Sequence, residues 1–144
     1  AIIAREPVAS ALTAGMHGST FGGGLLACRA ALEFLDILEQ DNLLDNVRRV
    51  GGYFRERLCQ LQRRFPFIRE VRGRGLMLAA DLEFPARPVV LEALKHGLLI
   101  NSTHETVLRF LPPYIVREQH VEGAVRILKR IFLDGRFPKE PASV

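Results

Sequence analysis

Two hydroxyls and a run of glycines stand directly ahead of an apolar helical pattern: His17-Gly18-Ser19-Thr20-Phe21-Gly22-Gly23-Gly24 leads into Leu25-Leu26-Ala27-Cys28. Glycine admits positive φ and lets a ligand come close to the backbone. The first N–H groups of a helix lack internal partners and carry partial positive charge. Together these make a seat for a phosphate or another anion. The run is not a Walker A loop, because no Gly-Lys-Ser/Thr follows it, and it lacks the strand and ribose-binding acid of a dinucleotide fingerprint. On the residues alone, a loop-to-helix hinge stays open as the alternative.

Other residue types offer less. His96, His104 and His120 have no ligand spacing among themselves, so no metal site is expected. Cys28 and Cys59 lack metal spacing as well and read as reduced, buried small hydrophobes, which suits a cytoplasmic setting. The net charge of +4 is modest, although arginines gather between Arg48 and Arg74. A nucleic-acid groove needs such a stripe together with stacking aromatics or a reading module. Here Asp41, Asp45 and Glu56 are interspersed, which fits the solvated face of an amphipathic helix; nucleic-acid binding is the runner-up of a different class. No apolar run reaches membrane-spanning length, so no membrane partner is expected.

The elements that must position these residues follow from periodicity. With 144 residues, 48% of them hydrophobic, the chain can bury a real core. Ala1-Ile2-Ile3-Ala4 reads as a buried strand cut from its context, which suggests the C-terminal part of a longer protein. A helical turn is expected around Pro7, then loop to Gly24. Leu26, Ala27, Ala30, Ala31, Phe34, Leu35 and Leu38 recur at helical spacing, so a helix is expected from about Leu25 to Glu39. A second runs from Leu43 to about Arg64, capped by Asp41 or Asn42 and stopped by Pro66. The period then becomes extended, with strands at Ile68 to Arg72 and Leu76 to Leu82 joined through Gly73-Arg74-Gly75. Pro88 to His96 reads as helix, Leu98 to Asn101 and Val107 to Leu111 as short strands, and Glu118 to Leu133 as the last helix. The expected fold class is α/β in the broad sense, an α+β small domain with a small antiparallel sheet covered by helices and preceded by long helices. Asp134 to Val144 reads as a frayed tail.

Taken in order, His17-Gly18-Ser19-Thr20-Phe21-Gly22-Gly23, Val71-Arg72-Gly73-Arg74-Gly75-Leu76-Met77 and Val107-Leu108-Arg109-Phe110-Leu111-Pro112-Pro113, with Leu98-Leu99-Ile100-Asn101 ahead of the last block, carry a family resemblance. The chain resembles the C-terminal segment of class III pyridoxal-phosphate-dependent aminotransferases, most closely the acetylornithine aminotransferases, up to about Leu133. The resemblance implies a fold-type I architecture and a homodimer with active sites at the subunit interface. Residues 1–24 would be a remnant of the large cofactor-binding domain, 25–64 connecting and dimer-region helices, 65–133 the C-terminal small domain and 134–144 the tail.

It implies further that Thr20 hydrogen-bonds the phosphate of pyridoxal 5'-phosphate held mainly by the other subunit, with Ser19 supporting the loop and His17 shaping it. Arg109 would grip the α-carboxylate of the amino-acid substrate. The physics agrees, since a planar guanidinium gives a carboxylate two parallel charge-assisted bonds that lysine cannot reproduce. Alternation sets Arg109 on the opposite face from Leu108 and Phe110, so an exposed strand arginine is the plain alternative. Arg72, Gly73 and Gly75 look structural. Lys95 and Lys129 fall on polar helix faces and Lys139 in the tail, so no residue here is expected to be catalytic; the family's Schiff-base lysine would lie upstream. Gly24-Leu25 replaces the asparagine and proline usual in the family, which loosens the helix start, and Tyr114 stands where leucine is common.

The expected function is thus that of an aminotransferase fragment. The parent would move an amino group between acetylornithine, or a related ω-amino acid, and 2-oxoglutarate. Ornithine, 4-aminobutyrate and succinylornithine compete as donors within the family. A non-catalytic dimerisation or structural module is the reading of a different class.

Overall fold

The structure is a computed structural model and describes residues 2–135. The chain parts into two units between Gln40 and Asp41.

The first unit holds a single 3₁₀ turn at Ala9–Ala11, the loop that follows it, and helix α1 (Leu25–Gln40). Gly24 starts α1 by accepting from the Cys28 N–H at 2.9 Å. The helix forms where the spacing predicts it, but its apolar stripe is uncovered: it has no buried residue, and Leu26 is 85% exposed. A single helix and a loop supply no second layer to cover that stripe. Cys28, on the same helix, is exposed rather than buried, and Cys59 is only half-buried; both thiols are free. Ile2–Ala4 are exposed and form no strand. A strand needs a neighbour for its N–H and C=O groups, and the sheet of the described residues is built entirely from positions 68–110.

The second unit comprises α2 (Leu43–Arg64), β1 (Ile68–Arg74), β2 (Met77–Leu82), α3 (Arg87–Lys95), β3 (Asn101–Thr103), β4 (Val107–Phe110) and α4 (Glu118–Asp134). It is an α+β small domain whose sheet is antiparallel throughout, in the order β1-β2-β4-β3. Helix α2 turns Val50, Phe54, Leu58 and Leu61 inward, and α4 adds Val121, Val125, Leu128, Ile131 and Phe132. These meet Ile68, Val71, Leu78, Ala80, Leu82, Leu108 and Phe110 from the sheet. The resulting layers bury their apolar stripes against each other. Phe54 meets Phe110 edge-on at 5.2 Å between centroids, which ties α2 to β4.

Asn42 caps α2 with left-handed backbone (φ 48°) and without a side-chain bond, so the capping expected of it comes from conformation alone. The helix lies so close to the β1–β2 hairpin that a Cβ on Gly51 would sit 2.4 Å from the Gly75 carbonyl oxygen. At the hairpin itself, Gly73 has φ 133° and its Cβ would come 2.1 Å from the Met77 oxygen. Only glycine fits there, and Gly73 and Arg74 belong to β1 rather than to the connection.

One strand is displaced from its sequence assignment. Leu98 to Ile100 do not enter the sheet; β3 starts at Asn101. The Leu98 N–H bonds back to the Ala93 carbonyl at 2.9 Å and the Gly97 N–H to Leu94 at 3.0 Å, with Gly97 at φ 78°. This is a Schellman closure of α3, and it takes the donor that a strand would use. The tail beyond Gly135, including Lys139, lies outside the described residues.

Candidate functional site

Arg109 sits in β4 between buried Leu108 and Phe110 and is itself half-buried, as alternation requires. Its side chain lines an open cleft of about 800 Å³ whose walls are largely apolar: Leu98, Leu99, Ile100, Leu111 and Ile115 contribute. No aspartate or glutamate lines it. The Arg109 Nε–H donates to Asn101 Oδ1 at 3.1 Å, and Nη1 and Nη2 have no partner among the described residues. A cation held in apolar walls without a counter-ion can accept a small anion, and the guanidinium fork has the geometry of a carboxylate partner.

The cleft is held from both sides. Asn46 on α2 donates through Nδ2 to the carbonyls of Tyr114 and Val116, at 2.7 and 2.9 Å. This fixes the segment that carries Pro112 and Pro113 past the arginine. Across the helices, Glu122 accepts from the Tyr53 hydroxyl and from Arg57 Nη2, the latter at 2.8 Å. The Arg57 Nε lies 2.6 Å from Glu122 Oε1 as a charge contact, not aligned as a hydrogen bond. The hydrogen bonds from Tyr53 and Arg57 hold the Glu122 carboxyl below its usual range and raise the Tyr53 hydroxyl in turn. At the far end of the sheet, Asp81 accepts from Arg69 Nη2 at 2.8 Å and from the Thr106 hydroxyl at 2.7 Å. Partial burial pushes the Asp81 carboxyl up, but these bonds and the positive charges of Arg69 and Arg72 outweigh it, so the group titrates low.

Ser19 and Thr20 lie in the first unit, in an exposed bend before α1. The Ser19 hydroxyl accepts from the Gly22 N–H at 3.0 Å and closes the loop, as a loop-supporting residue should. Thr20 is exposed, and its hydroxyl engages no partner among the described residues. His17 is exposed in the same loop.

Other singled-out residues fall outside the cleft or serve structure. Arg72 pairs with Glu70 at 2.7 Å. His96 faces Glu92 at 3.5 Å, while His120 accepts the Arg117 backbone N–H on Nδ1 at 3.0 Å and caps α4. Among the described residues no group of histidines, cysteines and acids is placed to hold a metal. Lys95 is exposed and paired with Glu92, and Lys129 is exposed on α4.

Sequence reasoning had no role for Asn101 or Asn46. Asn101 acquires one only through register: it stands directly opposite Arg109 across the β3–β4 pair. That register is set by a turn with left-handed His104 (φ 47°) and Glu105 (φ 55°), positions where glycine or asparagine would have announced it.

The second unit is thus an α+β small domain whose sheet presents Arg109 to a largely apolar cleft. Residues 1–132 match the model of the aminotransferase class-III family, and the chain belongs to that family. It is 50% identical over 131 residues to the acetylornithine aminotransferase of Aquifex aeolicus, an alignment covering 91% of this chain and 33% of that protein. It is 42% identical to the ornithine aminotransferase of Staphylococcus carnosus, over 92% of this chain and 33% of that one. Among solved structures, the acetylornithine aminotransferase from Elizabethkingia anophelis superposes with a TM-score of 0.75 at 30% identity, over 88% of this chain and 33% of its own. The ornithine aminotransferase from Toxoplasma gondii gives 0.71 at 35% identity, over 88% and 31%. The chain thus spans about a third of the length of the curated relatives it matches.

Proposed function

We propose that this chain is the carboxylate-recognising segment of a pyridoxal-phosphate-dependent aminotransferase that moves an amino group between acetylornithine, or a related ω-amino acid, and 2-oxoglutarate. The observation that carries the reading is Arg109, a half-buried cation in an apolar cleft with both terminal nitrogens unengaged among the described residues. Amino donor and 2-oxo-acid acceptor both present an α-carboxylate, so one clamp serves both halves of the reaction.

The cofactor fits the residues of the first unit in part. Thr20 offers a hydroxyl unengaged among the described residues in the loop that leads into α1, and a hydroxyl together with first-turn helix N–H groups is a donor set suited to a phosphate ester. Ser19 holds that loop through Gly22. When bound, pyridoxal phosphate supplies the electron sink that the transfer requires. Thr20 anchors its phosphate from one subunit while the partner holds the ring, which makes the working molecule a homodimer. Residues 1–24 belong on this reading to the large domain, 25–64 to connecting and dimer-region helices, and 65–133 to the small domain. The free thiols of Cys28 and Cys59 suit a reducing, cytoplasmic setting.

Replacing Arg109 by lysine in the full-length enzyme tests the assignment. A point charge keeps the sign but loses the fork, and removing one partner of a buried charged pair costs roughly 2 kcal/mol or more. The Michaelis constants for donor and acceptor should rise about 30-fold or more, with pyridoxal phosphate content unchanged. Collapse of cofactor occupancy with unchanged substrate affinity would show that the role is wrong.

A further inference from the structure

We propose that Asn101 is a positioning residue for the clamp: by accepting the Arg109 Nε–H it presents the two terminal nitrogens, and not the Nε edge, to the substrate carboxylate. The inference rests on the reading of Arg109 given above.

A guanidinium can hold a carboxylate with two parallel N–H bonds along either of two kinds of edge, one using Nη1 and Nη2 and one using Nε and a neighbouring Nη. In this chain the Nε–H is already spent on Asn101 Oδ1 at 3.1 Å. Only the end-on edge keeps both of its bonds. The geometry is built into the sheet: β4 has β2 on one side and β3 on the other, and Arg109 pairs with Ala79 on the first and Asn101 on the second. Alanine offers a methyl group, so Asn101 is the polar neighbour across the ladder. The turn through left-handed His104 and Glu105 sets this register and so places Asn101, not an apolar residue, opposite Arg109.

The chemistry of the partner matters as much as its place. An amide oxygen accepts the Nε–H without neutralising the cation, and no acid lines the cleft to do so. The arginine therefore meets its substrate with its charge intact and its rotation restrained, which lowers the ordering cost of binding. An aspartate of the same shape would instead occupy the guanidinium as its own counter-ion.

The test compares Asn101→Ala, Asn101→Asp, Arg109→Ala and the Asn101→Ala/Arg109→Ala pair in the full-length holoenzyme, reading KM and kcat for amino donor and 2-oxo-acid acceptor together with pyridoxal phosphate content. Asn101→Ala should raise both KM values about tenfold, the scale of one hydrogen bond to a charged group, with kcat moving less than KM. Asn101→Asp, which fills the same space, should raise them further. In the Arg109→Ala background, Asn101→Ala should add nothing. A wild-type KM for Asn101→Asp, or additive effects in the pair, overturns the positioning role. If Arg109→Ala raises both KM values while the Asn101 variants do not, the clamp stands and only this inference fails. If Arg109→Ala leaves both unchanged, the clamp reading fails and this inference with it.

Discussion

Arg109 is placed by period-2 alternation: Leu108 and Phe110 take the core, and the residue between them must face the other way. Its charge is tolerated because the cleft opens to solvent and Asn101 satisfies one donor. Thr20 is the counterpart in the loop before α1. The Ser19 hydroxyl accepts from the Gly22 N–H and closes the loop, while the Thr20 hydroxyl is unengaged among the described residues and is, on the proposed reading, the phosphate contact. Thr20→Ala in the full-length enzyme should therefore weaken pyridoxal phosphate, with a dissociation constant raised about tenfold for loss of one bond to a charged group. The KM values for donor and acceptor, measured at saturating cofactor, should hold. A rise in those values with normal cofactor titration would move Thr20 from the phosphate to the substrate.

Elements whose faces are paired within the second unit were legible from residue order alone. Helices α2 and α4 lie where their apolar periodicity places them, because each stripe meets the sheet or the other helix. Strands β1 and β2 follow from the change of period at Pro66. The register of β3 on β4 was not legible, because the turn is made by His104 and Glu105 in left-handed conformation and neither residue type signals it. With it went the role of Asn101. Periodicity also cannot say whether a stripe finds a cover: the spacing marks α1 as a helix, yet its apolar stripe is exposed. The sheet carries its own pH dependence through Asp81, which ties β2 to Arg69 on β1 and to Thr106 before β4. Its folded carboxyl titrates below the unfolded value, burial being outweighed by the Thr106 and Arg69 bonds. The stabilisation is then present above the unfolded pKa of about 4 and is lost as pH falls through the lower folded value. Asp81→Asn should cost about 1 kcal/mol at neutral pH, the scale of hydrogen bonds to a partly exposed charge. Urea midpoints of the two proteins should converge on acidification; a gap that stays constant down to pH 2.5 would assign the effect to packing.

At the scale of the whole molecule, the proposed reading puts one side of a phosphate site in the first unit and a carboxylate clamp in the second. Transamination also needs an amine that bonds covalently to the cofactor, held dry enough to be unprotonated and set over the ring. Among the described residues Lys95 is exposed and ion-paired with Glu92, and Lys129 is exposed on α4, so neither is desolvated. The proposal that follows is that residues 1–144 alone do not catalyse, and that the reactive lysine and the partner of the pyridine nitrogen belong to the rest of the parent. Free pyridoxal phosphate reacts slowly with any exposed lysine, so a coloured adduct does not decide the matter. Borohydride reduction followed by peptide mapping does, run beside a coupled assay with acetylornithine and 2-oxoglutarate. Substoichiometric labelling spread over several lysines, with no turnover, is the expected result. Stoichiometric labelling of one lysine together with turnover would make this chain a catalyst in its own right and would place the reactive amine within it.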